Sequence, residues 1–256
     1  MLPFVYVDGF PVPMYGVMAC FGIAFAVAIA LVKHKAFSLR KRDVLRLCIY
    51  ATIGAIVGMR LFSIIGQIVK HGSNPYFWTR DHLLHVLLGG GGVFYGGLLG
   101  GFGLTALRAK IGRIDLKNVF DIAAYVGLAF QSIGRLGCYC AGCCYGITLS
   151  DGRVFPVQLF EAGFCFVALL AFLIIKPERR WPGIPLFPVY LIIYSVGRFV
   201  LEFFRGDANR GVWILSTSQW IGIALFALAI VWLWKSGFIH RPRKDLPLST
   251  QLDETE

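Results

Sequence analysis

Two stretches of this chain, residues 14–32 and 211–234, contain no Asp, Glu, Lys or Arg. A helix needs roughly 20 mostly apolar residues to cross the hydrocarbon of a bilayer, so each stretch is long enough to span one. A third, Leu83 to Leu107, is equally uncharged but full of glycine. Leu47–Val69, Asn118–Gly134, Pro156–Ile175 and Ile184–Phe204 are apolar with one or a few ionisable residues each. Charged residues make up only 15% of the chain, where a soluble domain carries about a quarter. The expected fold is all-α and integral to the membrane, with about seven transmembrane helices. It forms a single domain over residues 1–240, followed by a short polar cytoplasmic tail over 241–256.

The formal charge of +11 would suit nucleic acid if it were clustered on one soluble surface. Instead it alternates along the chain. The segments after spans one, three, five and seven hold sixteen of the 25 Lys and Arg residues, and the alternate segments hold Lys70, Arg80, Arg153, Arg205 and Arg210. Lys and Arg accumulate in cytoplasmic loops, so the pattern places the N-terminus outside and the C-terminus inside. No nucleic-acid partner is expected. The first thirteen residues hold no Lys or Arg, which argues against a cleavable signal peptide.

The third span carries Gly89 to Gly92, then Gly96, Gly97, Gly100 and Gly101. Close helix packing through small residues, as at Gly54 and Gly58, is one explanation. A broken helix lining a cavity is the other, since irregular backbone at membrane depth must be covered by protein or water; the two are compatible, and a Gly-rich broken third helix is the expected form.

Once the loop charges are set aside, Arg60, Arg135 and Arg198 remain in or at the ends of apolar segments, with Asp121, Glu161 and Glu202. Ionisable groups inside a membrane are costly and point to function unless they neutralise one another. Tyr194, Arg198 and Glu202 follow an i, i+4, i+8 spacing, one stripe of a helix. An arginine oriented by Glu202 suits a phosphate, which guanidinium binds through two parallel hydrogen bonds. These residues suggest a membrane protein that handles an anionic lipid.

Several segments together resemble the prolipoprotein diacylglyceryl transferase family. They are Met14-Tyr15-Gly16, Gly58-Met59-Arg60, Phe94-Tyr95-Gly96-Gly97-Leu98-Leu99-Gly100, Gly134-Arg135-Leu136-Gly137 with Gly146, Pro156-Val157-Gln158-Leu159-Phe160-Glu161, Tyr194 to Arg205, and Ser218-Gln219. They occur in the family's order across residues 11–235. The resemblance implies transfer of a diacylglyceryl group from phosphatidylglycerol to the lipobox cysteine thiol in the signal peptide of a prolipoprotein. A thioether forms and glycerol phosphate leaves. The thiol is the nucleophile, so no cofactor and no metal are expected. By the same resemblance Arg135 and Arg198 hold the phosphate, with Tyr95 and Glu202 as further catalytic residues. Tyr15, Arg60, Gly96, Gly97, Gly146, Gln158, Glu161 and Tyr194 line the substrate site. The implied location is the bacterial cytoplasmic (inner) membrane, with the active face toward the periplasm.

The departures from the family pattern fall at the chemistry. Tyr95 stands where the family has histidine, Cys138 and Ala141 replace two asparagines, Cys143 replaces a glutamate, and Phe155 replaces a frequent histidine. Cys138, Cys140, Cys143 and Cys144 lie together at the expected outer face. A structural disulfide, a redox-active Cys140–Cys143 pair and a metal site are the alternatives. The absence of a second CxxC elsewhere in the chain argues against the metal. A divergent family member using another lipid or acceptor is one alternative; a membrane thiol–disulfide oxidoreductase is the competing function from another class, and a lipid-binding relative without activity the third.

Overall fold

The computed structural model describes residues 3–71, 79, 94–206 and 214–236. In chain order the elements are β1 (Phe4–Val7), β2 (Phe10–Pro13), α1 (Met14–Lys33), a 3-10 turn (His34–Phe37), α2 (Lys41–His71) and α3 (Phe94–Ile111). They continue with α4 (Leu116–Ala141), α5 (Val157–Ile175), α6 (Pro177–Arg180), α7 (Leu186–Glu202) and α8 (Thr217–Lys235). The chain divides into two compact units, Met1–Ser38 with Phe120–Glu256, and Leu39–Val119.

The first unit opens with a hairpin that the helical expectation did not include. Asp8 and Gly9 both take positive φ, 48° and 83°, the shape of a two-residue hairpin turn for which Asp-Gly is favoured. Val7 pairs with Phe10 and Phe4 with Pro13. Pro13 is extended and stands at the N-cap of α1.

Helices α4, α5 and α7 supply the core of this unit. Tyr125, Leu128 and Ala129 of α4 and Cys165 and Leu169 of α5 are fully buried, and Leu186 of α7 nearly so. Asp121 of α4 caps the start of α7 from outside, accepting hydrogen bonds from the Leu186 and Phe187 amides at 2.6 and 3.3 Å. Helix α7 begins after Pro185 and has no capping side chain of its own, so Asp121 satisfies amides that would otherwise be orphaned. Helix α8 carries its own cap, a reciprocal pair of bonds between Ser216 and Gln219. Lys33 Nζ reaches Glu178 at 2.8 Å, and the Tyr125 hydroxyl lies between the Phe172 carbonyl and the Glu178 carboxylate.

In the second unit α2 and α3 pack through glycine. A Cβ added to Gly54 would collide with the Gly100 carbonyl, and one added to Gly58 with the Gly96 carbonyl. Added to Gly97, it would come to 2.6 Å from the Met59 Cγ. Such close approach lets backbones meet where lipid gives no hydrophobic drive to pack. The packing explanation thus holds for Gly96, Gly97 and Gly100. Helix α3 runs unbroken through them, while Gly89 to Gly92 lie outside the described residues.

Five helical stretches among the described residues are long and apolar enough to cross a membrane: Met14–Phe37, Lys41–His71, Leu116–Ala141, Val157–Ile175 and Thr217–Lys235. Large apolar side chains such as Val167, Ile174, Leu228 and Trp234 stand exposed along them, as lipid-facing surface does. This is an all-α integral membrane architecture. Helix α7 has 17 residues, about 26 Å at ~1.5 Å per residue. The first part of the expected third span lies outside the described residues, as do the first residues of the seventh and the polar tail.

Candidate functional site

The charged residues of the first unit converge across three helices. Arg135, near the end of α4, meets Glu161 of α5 at 2.9 Å. Arg198 of α7 meets the other Glu161 oxygen at 3.2 Å and Glu202, one turn further along its own helix, at 2.9 Å. Arg205 approaches Glu202 at 3.7 Å. The Tyr194 hydroxyl donates to Glu161 at 3.3 Å, and Arg198 donates to the Ser218 hydroxyl at 3.5 Å. Glu161 and Glu202 are only 2% exposed, and the arginines beside them offset the cost of burying a carboxylate.

Three guanidinium groups and two carboxylates thus meet in one network. The Arg135 side chain keeps 20% of its surface exposed while its partner Glu161 keeps 3%, so Arg135 is the more accessible member of the pair.

The turn after α4 adds the thiols. The Sγ atoms of Cys138, Cys143 and Cys144 all lie within 4.8 Å of one another, and Cys140 is not part of the group. Gln158, on the first turn of α5, donates to the Cys143 carbonyl at 2.8 Å, which ties α5 to this turn. A hydrogen bond with the Cys138 thiol favours the Cys144 thiolate, burial opposes it, and Arg205 and Arg135 add to it. The net effect lowers the Cys144 thiol to about 5.

Gly146 closes the turn. Its amide bonds the Phe155 carbonyl at 3.1 Å, and the next amide, of Ile147, bonds the Phe204 carbonyl at 2.9 Å. A Cβ on Gly146 would collide with the Phe155 carbonyl and come to 2.8 Å from that of Phe204. Gly146 thus lets the segment that follows α4 lie against the one that follows α7. Tyr15, on the first turn of α1, is half exposed and borders Gly137, where an added Cβ would come to 3.5 Å from the Tyr15 ring.

A family model for prolipoprotein diacylglyceryl transferase matches residues 3–235. The chain belongs to the prolipoprotein diacylglyceryl transferase family.

Among similar relatives is the phosphatidylglycerol–prolipoprotein diacylglyceryl transferase of Clostridium tetani (strain Massachusetts / E88), 32% identical over 84% of this chain and 90% of that one. Phosphatidylglycerol–prolipoprotein diacylglyceryl transferase 2 of Clostridium perfringens (strain 13 / Type A) is 33% identical over 84% of this chain and 87% of its own length. Both relatives are named as transferases, and the thiol–disulfide oxidoreductase alternative is not favoured. Membership makes this chain a bacterial inner-membrane protein and a transferase.

Of the residues singled out in the sequence, Arg135, Glu161, Tyr194, Arg198 and Glu202 form one network, and Gln158, Gly146 and Tyr15 border the turn beside it. Arg60 and Tyr95 belong to α2 and α3 of the second unit, with Gly96 and Gly97 in its packing seam. Arg205 was counted among the loop charges in the sequence but joins the network through Glu202. Its i, i+3 spacing from Glu202 was the available signal. Asp121, grouped with the intramembrane acids, serves as the cap of α7.

Proposed function

We propose that this chain transfers the diacylglyceryl group of phosphatidylglycerol to the lipobox cysteine of a prolipoprotein, at the outward face of the membrane. The observation that carries this reading is the meeting of Arg135 and Arg198 on Glu161. Phosphatidylglycerol presents a phosphodiester anion, which guanidinium binds through parallel hydrogen bonds.

The chemistry asked of the site is modest. The acceptor thiol gives up its proton, and its sulfur forms a bond to the glyceryl methylene carbon. The bond from that carbon to the phosphate oxygen breaks, and the electron pair leaves with glycerol phosphate. Charge grows on the departing phosphate, and fixed donors aimed at that charge lower the barrier. Arg135 and Arg198 are those donors. Glu161 holds them in place, Glu202 orients Arg198 from its other side, and Tyr194 braces Glu161. Tyr95 stands where the family histidine does, and its phenol offers a hydrogen-bond donor there.

The alternation of basic segments along the chain supports a seven-helix arrangement with the N-terminus outside. In that orientation the Arg135 end of α4 and the thiol turn face outward.

The test is release of glycerol phosphate from phosphatidylglycerol micelles by the purified protein. Release that requires a cysteine-containing lipobox peptide, and fails with its serine counterpart, is the expected result. Release independent of the thiol, or none from folded protein that binds the lipid, overturns the proposal. An intact reaction in Cys140→Ser is expected, whereas its loss would favour thiol redox chemistry.

A further inference from the structure

The three thiols at the end of α4, Cys138 on its last turn and Cys143 and Cys144 just past it, are brought together by the way that helix ends. The Cys143 amide bonds the Cys138 carbonyl at 3.1 Å, and the Gly142 amide bonds the Tyr139 carbonyl at 3.2 Å. Gly142 between them is left-handed, with φ +72°. This is the Schellman helix stop, in which the second residue past the cap folds back over the residue five positions earlier. Here those two residues are Cys143 and Cys138, so the stop itself stacks one thiol on the other.

Cys144 completes the set at a cost. It takes a left-handed φ of +56°, a conformation uncommon for a residue with a Cβ. That backbone turns its thiol to the same point, so that the three sulfur atoms lie mutually within 4.8 Å. Zinc–sulfur bonds of about 2.3 Å place the thiolates on one ion about 4 Å apart, so small rotations of three side chains close the site. A disulfide would use two of the sulfurs and leave the third beside it without a role. Cys140 is two residues from Cys138 on the same helix and so projects from a different face. Cys143 is exposed, which gives an ion access from solvent.

We propose that Cys138, Cys143 and Cys144 form a three-thiolate site for a thiophilic d10 cation, zinc(II) or copper(I), that locks the end of α4 beside Arg135. Soft thiolates select such ions over hard ones. Three protein ligands leave a further position open on zinc and none needed on trigonal copper(I). The site ties the helix that carries Arg135 to the turn that Gln158 and Gly146 hold. It stands independently of the transfer reaction and is tested without it.

The full chain, purified in detergent with its thiols reduced, is loaded with zinc(II) or with copper(I) in separate arms. It is then freed of excess metal, and the retained ion is measured by mass spectrometry of the element. About one equivalent is expected in at least one arm, falling about tenfold or more in Cys138→Ser and Cys144→Ser and unchanged in Cys140→Ser and Cys165→Ser. The parent protein gives a second readout that needs no variant: cobalt(II) in place of zinc should show intense sulfur-to-metal charge-transfer absorption. No retention in either arm, or equal retention in Cys144→Ser, overturns the site. So does a disulfide among these three cysteines in protein whose thiols were trapped before purification.

Discussion

Arg135 and Arg198 reach the two oxygens of a single carboxylate, Glu161, at 2.9 and 3.2 Å, from helices that lie far apart in the chain. Glu161 is therefore the hinge of the site. It fixes the spacing of two guanidinium groups that would otherwise repel each other, and it does so while nearly fully buried.

Replacing Glu161 with glutamine keeps the shape and removes the charge that holds both arginines. Breaking a buried ion pair on one side costs about 3 kcal/mol or more, so the variant should melt at a clearly lower temperature in detergent. Its transfer rate should fall about a hundredfold. Arg198→Lys isolates geometry from charge. The ammonium keeps the positive sign but loses the planar fork, so activity should fall while the melting temperature changes less than in Glu161→Gln. Equal activity in Arg198→Lys and the parent would show that two-pronged binding is not required.

The glycine seam of the second unit makes a prediction of a different kind. Gly100→Val places a branched side chain against the Gly54 carbonyl, where even a Cβ collides. Overpacking of this sort costs about 1–3 kcal/mol. Gly103 has nothing within 4 Å of an added Cβ, so Gly103→Ala should leave stability unchanged or slightly raised. Thermal unfolding of the two variants against the parent measures the difference. Equal destabilisation would contradict the seam.

Glu178 predicts a pH dependence. Burial pushes its carboxyl up, but hydrogen bonds from Lys33 and Tyr125 outweigh this and hold it below the ordinary carboxylate range. A depressed carboxyl contributes stability that is fully present above its unfolded value, near 4.3, and is lost as pH falls through its lower folded value. The parent should therefore lose melting temperature on acidification below about pH 4.3 more steeply than Glu178→Gln, which has no proton to gain. Parallel pH profiles for the two proteins would show that the Lys33–Glu178 pair contributes nothing.

The stripe of Tyr194, Arg198 and Glu202 was legible because helical spacing alone puts the three on one face. Glu161 was visible as an acid in an apolar run. Its pairing with Arg135 and Arg198 was not, because they come from helices whose packing no local pattern encodes. Arg205 was hidden by its position past the end of an apolar segment, where a loop charge is the ordinary expectation. Asp121 was grouped with the other intramembrane acids, and its role in capping a helix that lacks a cap of its own depends on packing between helices. The Asp8-Gly9 turn was readable in principle, since that dipeptide favours a hairpin, but thirteen residues ahead of a long apolar helix drew no attention. The cysteines showed their proximity but not their partners. The left-handed Gly142 and Cys144 decide which three thiols meet.

The central claim is that the arginine pair on Glu161 serves alkyl transfer to a thiol. The most direct measurement is the intact mass of a lipobox peptide after incubation with the protein in phosphatidylglycerol micelles, run beside Arg198→Ala. A diacylglyceryl adduct on the peptide cysteine is expected with the parent protein and little or none with the variant. No adduct from folded, lipid-binding parent protein, or an equal yield from Arg198→Ala, would contradict it.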